Sequence, residues 1–590
     1  MADTLDRNTA GTTDIGAKDA AETLDRLAHV ALAQVTRGLS PAAALLAWHD
    51  WALHLGISPG KRRELFNEAW EAQRRFQAYA MRAAANPDCP GCVEPPAQDH
   101  RFVGEAWRKW PFNALHQGFL LQQEWWQQAT NGVRGVSRAH EEQVSFSARQ
   151  LLDMWSPANF LWTNPEVLRR TAETGGVNLW QGALNWLDDL RRTLTGAPPA
   201  GGEDFIVGRD VGVTPGKIVY RNRLIELIQY APTTATVHAT PILIVPSWIM
   251  KYYILDLSPQ NSMVRWLVEQ GHTVFMISWK NPGSDDRDLG MEDYRQLGVM
   301  AALDAVAAII PDQQVNAVGY CLGGTLLAIA AAAMARDGDE RLRSLSLLAT
   351  LIDFREPGEL SLFIGESQLA FLESLMSGRG YLAGQQMSGA FQMLNSQDLI
   401  WSRRMKEYLL GERSGMFDLM AWNADTTRMP ARMHSEYLRQ LYLDNDFAEG
   451  RYLVDSRPAV PGDIRIPVFA LATIRDHVAP WASVYKIHRL IGGADITFAL
   501  SSGGHNVGVL SPPEHPRRTH QIGLRRHGDR HVGPQDWQDA TPTEQGSWWP
   551  AWATWLAEQS AGDVPPPSIG SPERGYSPIA DAPGTYVHER

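Results

Sequence analysis

The chain has 590 residues, a net charge of −12, 44% hydrophobic and 20% charged residues, and three cysteines. That length is too great for one ordinary core, so two domains plus tails are expected. The acidic balance argues against nucleic acid as a general partner, so few cysteines fit a reducing cytoplasm, and the longest apolar stretch, around Leu326–Met334, is well short of a membrane span.

The start of the chain lacks a basic segment followed by an apolar core, so no signal peptide is expected. Residues 1–24 are polar and rich in Ala, Thr and Asp, the composition of a disordered tail. Residues 25–195 form the expected helical N-terminal domain. Ala43, Leu45, Leu46, Trp48, Trp51, Leu53 and Leu55 recur at spacings that make an apolar stripe. Prolines between Pro87 and Pro96 interrupt it. Beyond them lie Trp107, Trp110, Trp125, Trp126, Trp155, Trp162, Trp180 and Trp186. Tryptophans at helical spacing are read first as core, and otherwise as a face for dimerisation or for an apolar polymer. Cys89 and Cys92 form a C-x-x-C without a second ligand pair for zinc and without a thioredoxin-like strand before it. They are read as incidental loop thiols, so neither metal nor cofactor is expected.

Gly196–Gly202 reads as a linker, after which the periodicity changes. Lys217–Tyr220 and Leu224–Tyr230 look like a hairpin. Strands at Ile242–Val245, Thr273–Ser278, Val315–Val318, Leu345–Ala349, Pro467–Ala472 and Ile496–Leu500 alternate with helices, which implies a parallel sheet with right-handed crossovers. Count and order suit an α/β-hydrolase fold over residues 203–565. The helical stretch at about 354–465 would be a cap over the active site. A helix opened by Ser547-Trp548-Trp549-Pro550 precedes a Pro-rich tail, 566–590, expected to be disordered or extended.

The sharpest signal is Val315-Asn-Ala-Val-Gly-Tyr-Cys-Leu-Gly-Gly-Thr325. A short apolar strand, a Gly-x-Cys-x-Gly turn and an Ala-rich helix make a nucleophile elbow, with Cys321 where serine is usual. Glycines either side remove the Cβ atoms that would clash in a strained turn. The helix N-terminus behind the cysteine favours thiolate over thiol. In this fold the order is nucleophile, acid, histidine. Asp476 follows a late strand in Phe469-Ala-Leu-Ala-Thr-Ile-Arg-Asp-His, and His505 follows the last predicted strand in Ser501-Ser-Gly-Gly-His-Asn. Asp353 is the competing acid, since it follows the strand after the elbow. His477 is assigned a structural role and His515 a solvated one. The oxyanion hole needs two backbone N–H groups. Leu322, after the nucleophile, supplies one. The loop after Ile242–Val245 supplies the other, from Trp248 or Ile249, with Ile249 chosen.

Together these residues resemble the class I polyhydroxyalkanoate synthases, over roughly residues 25–565. The likeness rests on Gly-Tyr-Cys-Leu-Gly-Gly at 319–324, Pro-Ser-Trp-Ile-Met-Lys-Tyr-Tyr-Ile-Leu-Asp-Leu at 246–257, Gly-His-Thr-Val-Phe-Met-Ile-Ser-Trp at 271–279, Trp-Asn-Ala-Asp-Thr-Thr-Arg-Met-Pro at 422–430, Arg-Asp-His-Val-Ala-Pro-Trp at 475–481 and Gly-Gly-His-Asn at 503–506. The chain departs from the family at Ser247 and Met250, where Pro and Asn are frequent. The resemblance implies an acyltransferase that polymerises (R)-3-hydroxyacyl-CoA, such as 3-hydroxybutyryl-CoA, into polyester with release of CoA, through a Cys321–His505–Asp476 triad. It also implies a homodimer in the cytoplasm on polyester granules, in contact with the growing chain and with granule-associated proteins. Two rivals are a cysteine hydrolase of lactones or polyesters, and a catalytically silent granule-binding protein.

Overall fold

The computed structural model describes residues 24–33, 36, 38–86, 88–96, 99–394, 396–515 and 517–590. Residues 1–23 of the expected N-terminal tail lie outside these. The chain divides into two compact units. One comprises 39–201 with 389–416; the other comprises 202–388 and 417–590 with the described residues before 39.

The first unit is helical: α1 (Pro41–Gly56), α2 (Pro59–Ala85), α3 (Phe112–Thr130), α4 (Arg138–Met154), α5 (Pro165–Thr174) and α6 (Val177–Thr195). Proline opens α1, α2 and α5, where a missing N–H costs nothing, and the Asn164 side chain accepts from the Glu166 and Val167 N–H groups at the start of α5. Residues 389–416, inside the span expected as cap, pack on α6 in this unit. Asn185 donates to the Glu407 carbonyl at 2.9 Å, and a Cβ on Gly182 would lie 1.9 Å from the Tyr408 carbonyl oxygen. The expectation that the tryptophans are core holds for Trp107, which is 1% exposed. It fails for Trp110, Trp155, Trp162, Trp180 and Trp186, all at least half exposed. Helical spacing alone does not tell which face of a helix meets a partner.

The second unit holds an eleven-stranded sheet. Its strands are β1 (Gly216–Arg221), β2 (Ile225–Tyr230), β3 (Ile242–Val245), β4 (Val274–Trp279), β5 (Val315–Tyr320), β6 (Leu342–Leu348), β7 (Val468–Thr473), β8 (Ile496–Ser501), β9 (Thr519–Arg525), β10 (Glu544–Gln545) and β11 (Ala580–Asp581). The order across the sheet is β10-β9-β8-β7-β6-β5-β3-β4-β2-β1-β11. The centre, β4 to β8, is parallel, and the flanks are antiparallel. The central strands β3, β4, β5 and β7 are buried along their whole length, as a sheet covered on both faces requires. This is the α/β-hydrolase architecture. Helix α7 (Leu322–Asp337) follows β5 and is buried from Leu322 to Met334, because its run of alanines lets it lie close against the strands.

Two features depart from the expected order. An antiparallel strand, β9, follows the loop of His505, so β8 is the last parallel strand and not the last strand. The C-terminal segment is extended but docked. It adds β11 to the open edge of β1, and Glu226, wholly buried, accepts from the Thr585 and Tyr586 N–H groups at 2.8 and 3.0 Å. A buried carboxylate and an unpaired strand edge both need donors, and this segment supplies them. No helix among the described residues is long and apolar enough to cross a membrane.

Candidate active site

Cys321 stands between β5 and α7 with φ 54° and ψ −128°, a conformation that costs a non-glycine residue free energy and holds only because its surroundings impose it. Its N–H donates to the Leu348 carbonyl on β6 at 2.9 Å, and its carbonyl accepts from the Thr350 hydroxyl at 3.2 Å. The glycines around it are there because backbone passes where a side chain would be. A Cβ on Gly319 would lie 2.3 Å from the Gly324 Cα. One on Gly323 would lie 2.3 Å from the Val245 carbonyl oxygen and 2.4 Å from that of Pro246. One on Gly324 would lie 2.0 Å from the Thr350 hydroxyl oxygen. The Gly323 contact presses the loop after β3 against the first turn of α7.

Asp476 and His505 come from the carboxyl ends of β7 and β8, strands paired in register from Val468↔Ile496 to Thr473↔Ser501. His505 Nδ1 lies 2.8 Å from Asp476 Oδ2. The carboxylate is saturated: Oδ2 also accepts from the Thr473 hydroxyl at 3.1 Å, and Oδ1 accepts from the Val478 and Ala479 N–H groups at 2.9 and 2.8 Å. Burial would raise the Asp476 pKa, but His505 and these N–H donors outweigh it and hold it below the usual carboxylate range. For His505 burial pushes the pKa down, and the Asp476 carboxylate together with the Cys321 sulfur, which is within hydrogen-bonding reach, holds it well above an ordinary histidine. His505 opens the short helix α8 (His505–Val509). That helix is fixed from beneath by Trp548 and Trp549, whose indole N–H groups donate to the Gly508 and Val509 carbonyls at 3.0 and 2.9 Å.

The structure therefore brings Cys321, His505 and Asp476 together. The competing acid, Asp353, is engaged elsewhere. It accepts from the Arg355 N–H at 2.8 Å and faces the Lys486 ammonium at 3.6 Å. His477 is exposed, and its carbonyl accepts from the Glu359 N–H. Leu322 is the first residue of α7, so its N–H has no intrahelical acceptor. Ile249 is half-buried on the loop pressed against that turn, and its N–H makes a long contact of 3.4 Å to the Ser247 hydroxyl. Cys89 and Cys92 are free thiols in the helical unit.

Sequence reasoning missed two tyrosines. Tyr437 and Tyr442 lie in the segment expected as cap, with rings 5.3 Å apart, and Tyr437 packs on Trp248 of the loop after β3. Burial pushes both phenols far up, and each also feels the charge of Cys321. Nothing in their sequence context marks them, because only the fold carries this segment over the elbow.

Residues 98–267 match the sequence family described as Poly-beta-hydroxybutyrate polymerase (PhaC) N-terminus, residues 19–61 that described as Poly-beta-hydroxybutyrate polymerase N terminal, and residues 240–512 the alpha/beta hydrolase fold. The chain is 42% identical over 506 residues to a poly(3-hydroxyalkanoate) polymerase of Methylorubrum extorquens, covering 84% of this chain and 81% of that protein. It is 38% identical over 512 residues to the poly(3-hydroxyalkanoate) polymerase subunit PhaC of Rhizobium meliloti, with 84% and 81% covered. It is 35% identical over 499 residues to that of Cupriavidus necator, with 83% of each chain covered. With this similarity spread over both units and the elbow, the chain belongs to the poly(3-hydroxyalkanoate) polymerase family.

Proposed function

We propose that the chain polymerises (R)-3-hydroxyacyl-CoA into polyester through an acyl group held on Cys321. The observation that carries this is the 2.8 Å His505–Asp476 contact beside a cysteine on a strained elbow. His505 takes the Cys321 proton, the thiolate attacks the acyl carbonyl, and CoA leaves. A thioester exchanged for a thioester loses little driving force, and the later attack by a hydroxyl gives an oxoester, which is downhill. A serine would surrender that gradient in the first step. The tetrahedral oxygen is held by the N–H groups of Leu322 and Ile249, the latter leaving its long contact with Ser247.

The second base step falls to His505. Asp476 is wholly buried at its side chain and already accepts from His505, Thr473, Val478 and Ala479, so it has no lone pair free for an incoming hydroxyl. Its role is to fix the imidazole tautomer and orientation. The product is apolar, and exposed Val177, Trp180, Leu184, Leu187 and Leu194 on one face of α6 support contact of the helical unit with a polyester granule. A homodimer at that cytoplasmic surface, with granule-associated proteins around it, completes the reading.

The test is incubation with (R)-3-hydroxybutyryl-CoA, following thiol release and product mass. CoA release with polymer is expected. Free 3-hydroxybutyrate as the product would make the protein a hydrolase, and no turnover would favour the silent granule-binding protein.

A further inference from the structure

Lys251 stands on the loop after β3, two residues beyond Ile249. It is 3% exposed, and its ammonium donates to the main-chain carbonyls of Glu589 at 2.7 Å and Tyr586 at 3.5 Å. Burial pushes its pKa down, against the charges of Asp425 and Glu589. A buried ammonium is costly unless it is hydrogen-bonded, so residues 586–589 and this loop hold each other in place. Asn281, just beyond β4 and also 3% exposed, joins the same group. Its N–H donates to the Glu589 carboxylate at 3.1 Å, and its side-chain amide donates to the Glu589 carbonyl at 3.2 Å. Its amide oxygen accepts from the Arg428 N–H at 2.9 Å. The Glu589 carbonyl thus accepts from Lys251 and Asn281 together.

The loop is tied on another side by residues 422–427. The Trp422 indole N–H donates to the Lys251 carbonyl at 2.8 Å, and the Thr427 hydroxyl donates to the Trp248 carbonyl at 3.1 Å. Met250 and Thr426 meet as an antiparallel bridge. At the start of the loop, the Trp279 indole N–H donates to the Pro246 carbonyl at 2.9 Å, and the bare Gly323 lets the Val245 and Pro246 carbonyls close on the first turn of α7. That contact sets the start of the loop and leaves its far end, beyond Ile249, to Lys251. A backbone N–H stabilises a developing charge only if it is aimed before the reaction, so both ends of the loop matter.

We propose that Lys251, held by the Glu589 carbonyl, is a positioning residue for the Ile249 N–H, so that residues 586–589 serve acyl transfer from outside the active site. This rests on the reading above that Leu322 and Ile249 hold the tetrahedral oxygen. Without the Lys251–Glu589 bond the loop turns on its ties to Trp422 and Thr427, and the Ile249 N–H swings out of line. Substrate still binds, and His505 still activates Cys321. Both half-reactions slow, because each passes through a tetrahedral oxyanion.

The test compares turnover with alkylation of Cys321. Iodoacetamide is attacked at a saturated carbon and forms no oxyanion, so its rate reports the thiolate alone. Turnover is measured with (R)-3-hydroxybutyryl-CoA and with p-nitrophenyl butyrate, an activated ester that the same oxyanion donors would serve. In Lys251→Met, kcat should fall roughly 10- to 100-fold on each substrate the wild type accepts, with KM within about twofold and alkylation unchanged. A variant lacking residues 588–590 should behave alike. It loses Glu589 but keeps β11 and the Thr585 and Tyr586 bonds to Glu226, so it decides the matter if Lys251→Met does not fold. An unchanged kcat, or an alkylation rate that falls in step with kcat, would overturn the positioning role. Wild-type turnover of the nitrophenyl ester without the CoA thioester would overturn the acyl-CoA reading alone, the ester then deciding the role of Lys251. Wild-type turnover of neither would overturn both.

Discussion

The Tyr320 hydroxyl donates to Asn506 Oδ1 at 2.6 Å, tying the residue before Cys321 to the residue after His505. The Tyr320 ring also lies 5.7 Å from the imidazole. One buried side chain thus sets the spacing of nucleophile and base. Tyr320→Phe keeps the packing and removes only this bond, worth about 1–2 kcal/mol when a buried partner is left unpaired. We expect kcat to fall roughly tenfold with the thermal midpoint shifted by a few degrees. An unchanged kcat would show that the α8 anchors, Trp548 and Trp549, hold His505 without help.

Cys321→Ala should abolish acyl transfer and leave the fold intact, because it removes one half-buried sulfur atom. Cys321→Ser should retain little activity. His505→Gln removes the base that activates the thiol, so alkylation of Cys321 by iodoacetamide at neutral pH should slow markedly. Equal alkylation rates in the variant and the wild type would separate His505 from thiolate formation.

Asp476→Asn should cost roughly 10³–10⁴-fold in rate, because an amide no longer selects the imidazole tautomer. On the proposed role of Asp476, orienting His505 in both half-reactions, the initial burst of CoA and the steady-state rate should fall together. A full burst followed by a stalled acyl-enzyme would instead make Asp476 the base for the incoming hydroxyl. Asp353→Asn, which loosens contacts with Arg355, Asn445 and Lys486, should turn over near the wild-type rate. Trapping radiolabelled acyl-enzyme on both variants distinguishes these outcomes.

Gly323→Ala would place a methyl 2.3 Å from the Val245 carbonyl oxygen, a backbone atom that cannot rotate away. The loop carrying Ile249 must then move off the first turn of α7. We expect a loss of at least about 3 kcal/mol of stability, and little activity in whatever folds. Gly338→Ala is the control. It lies past the end of α7 with φ 75° and open space around it, so it carries only the left-handed backbone cost of about 1 kcal/mol.

Acid should destabilise the fold through its buried histidines. Burial pushes His434 down to about 4 and His488 to about 3, from an ordinary value of 6.5. Below pH 6.5 the unfolded chain takes up protons that the folded chain refuses, so stability falls as pH drops from 6.5 towards 4. At pH 5 this amounts to about 2 kcal/mol per histidine. His434→Phe should narrow the gap between thermal midpoints at pH 7 and pH 5. A gap as wide as that of the wild type would mean that His434 does not titrate as a buried neutral group.

Six parallel strands were legible within a few residues, because each is an apolar run bounded by turn residues. The elbow was legible for a different reason: its glycines are demanded by backbone contacts within a few residues of the cysteine, so spacing alone reports them. The exposed face of α6 was not legible, since a stripe of Trp and Leu has the same period whether or not a neighbour covers it. Nor was the docking of the C-terminal segment, because the donors that Glu226 requires lie some 360 residues away in sequence.

What the sequence by itself determined is the chemistry: a cysteine on a Gly-x-Cys-x-Gly turn, with an acid and a histidine in hydrolase order, each marked by the residues beside it. Only the tertiary structure decided which carboxylate serves His505. Asp353 and Asp476 both follow strands, and the choice between them depends on β7 lying beside β8 while Lys486 and the Arg355 backbone engage Asp353. It also brought Tyr437 and Tyr442 over the elbow. Such meetings arise from strand order and loop packing between segments distant in the chain, and no local spacing encodes them.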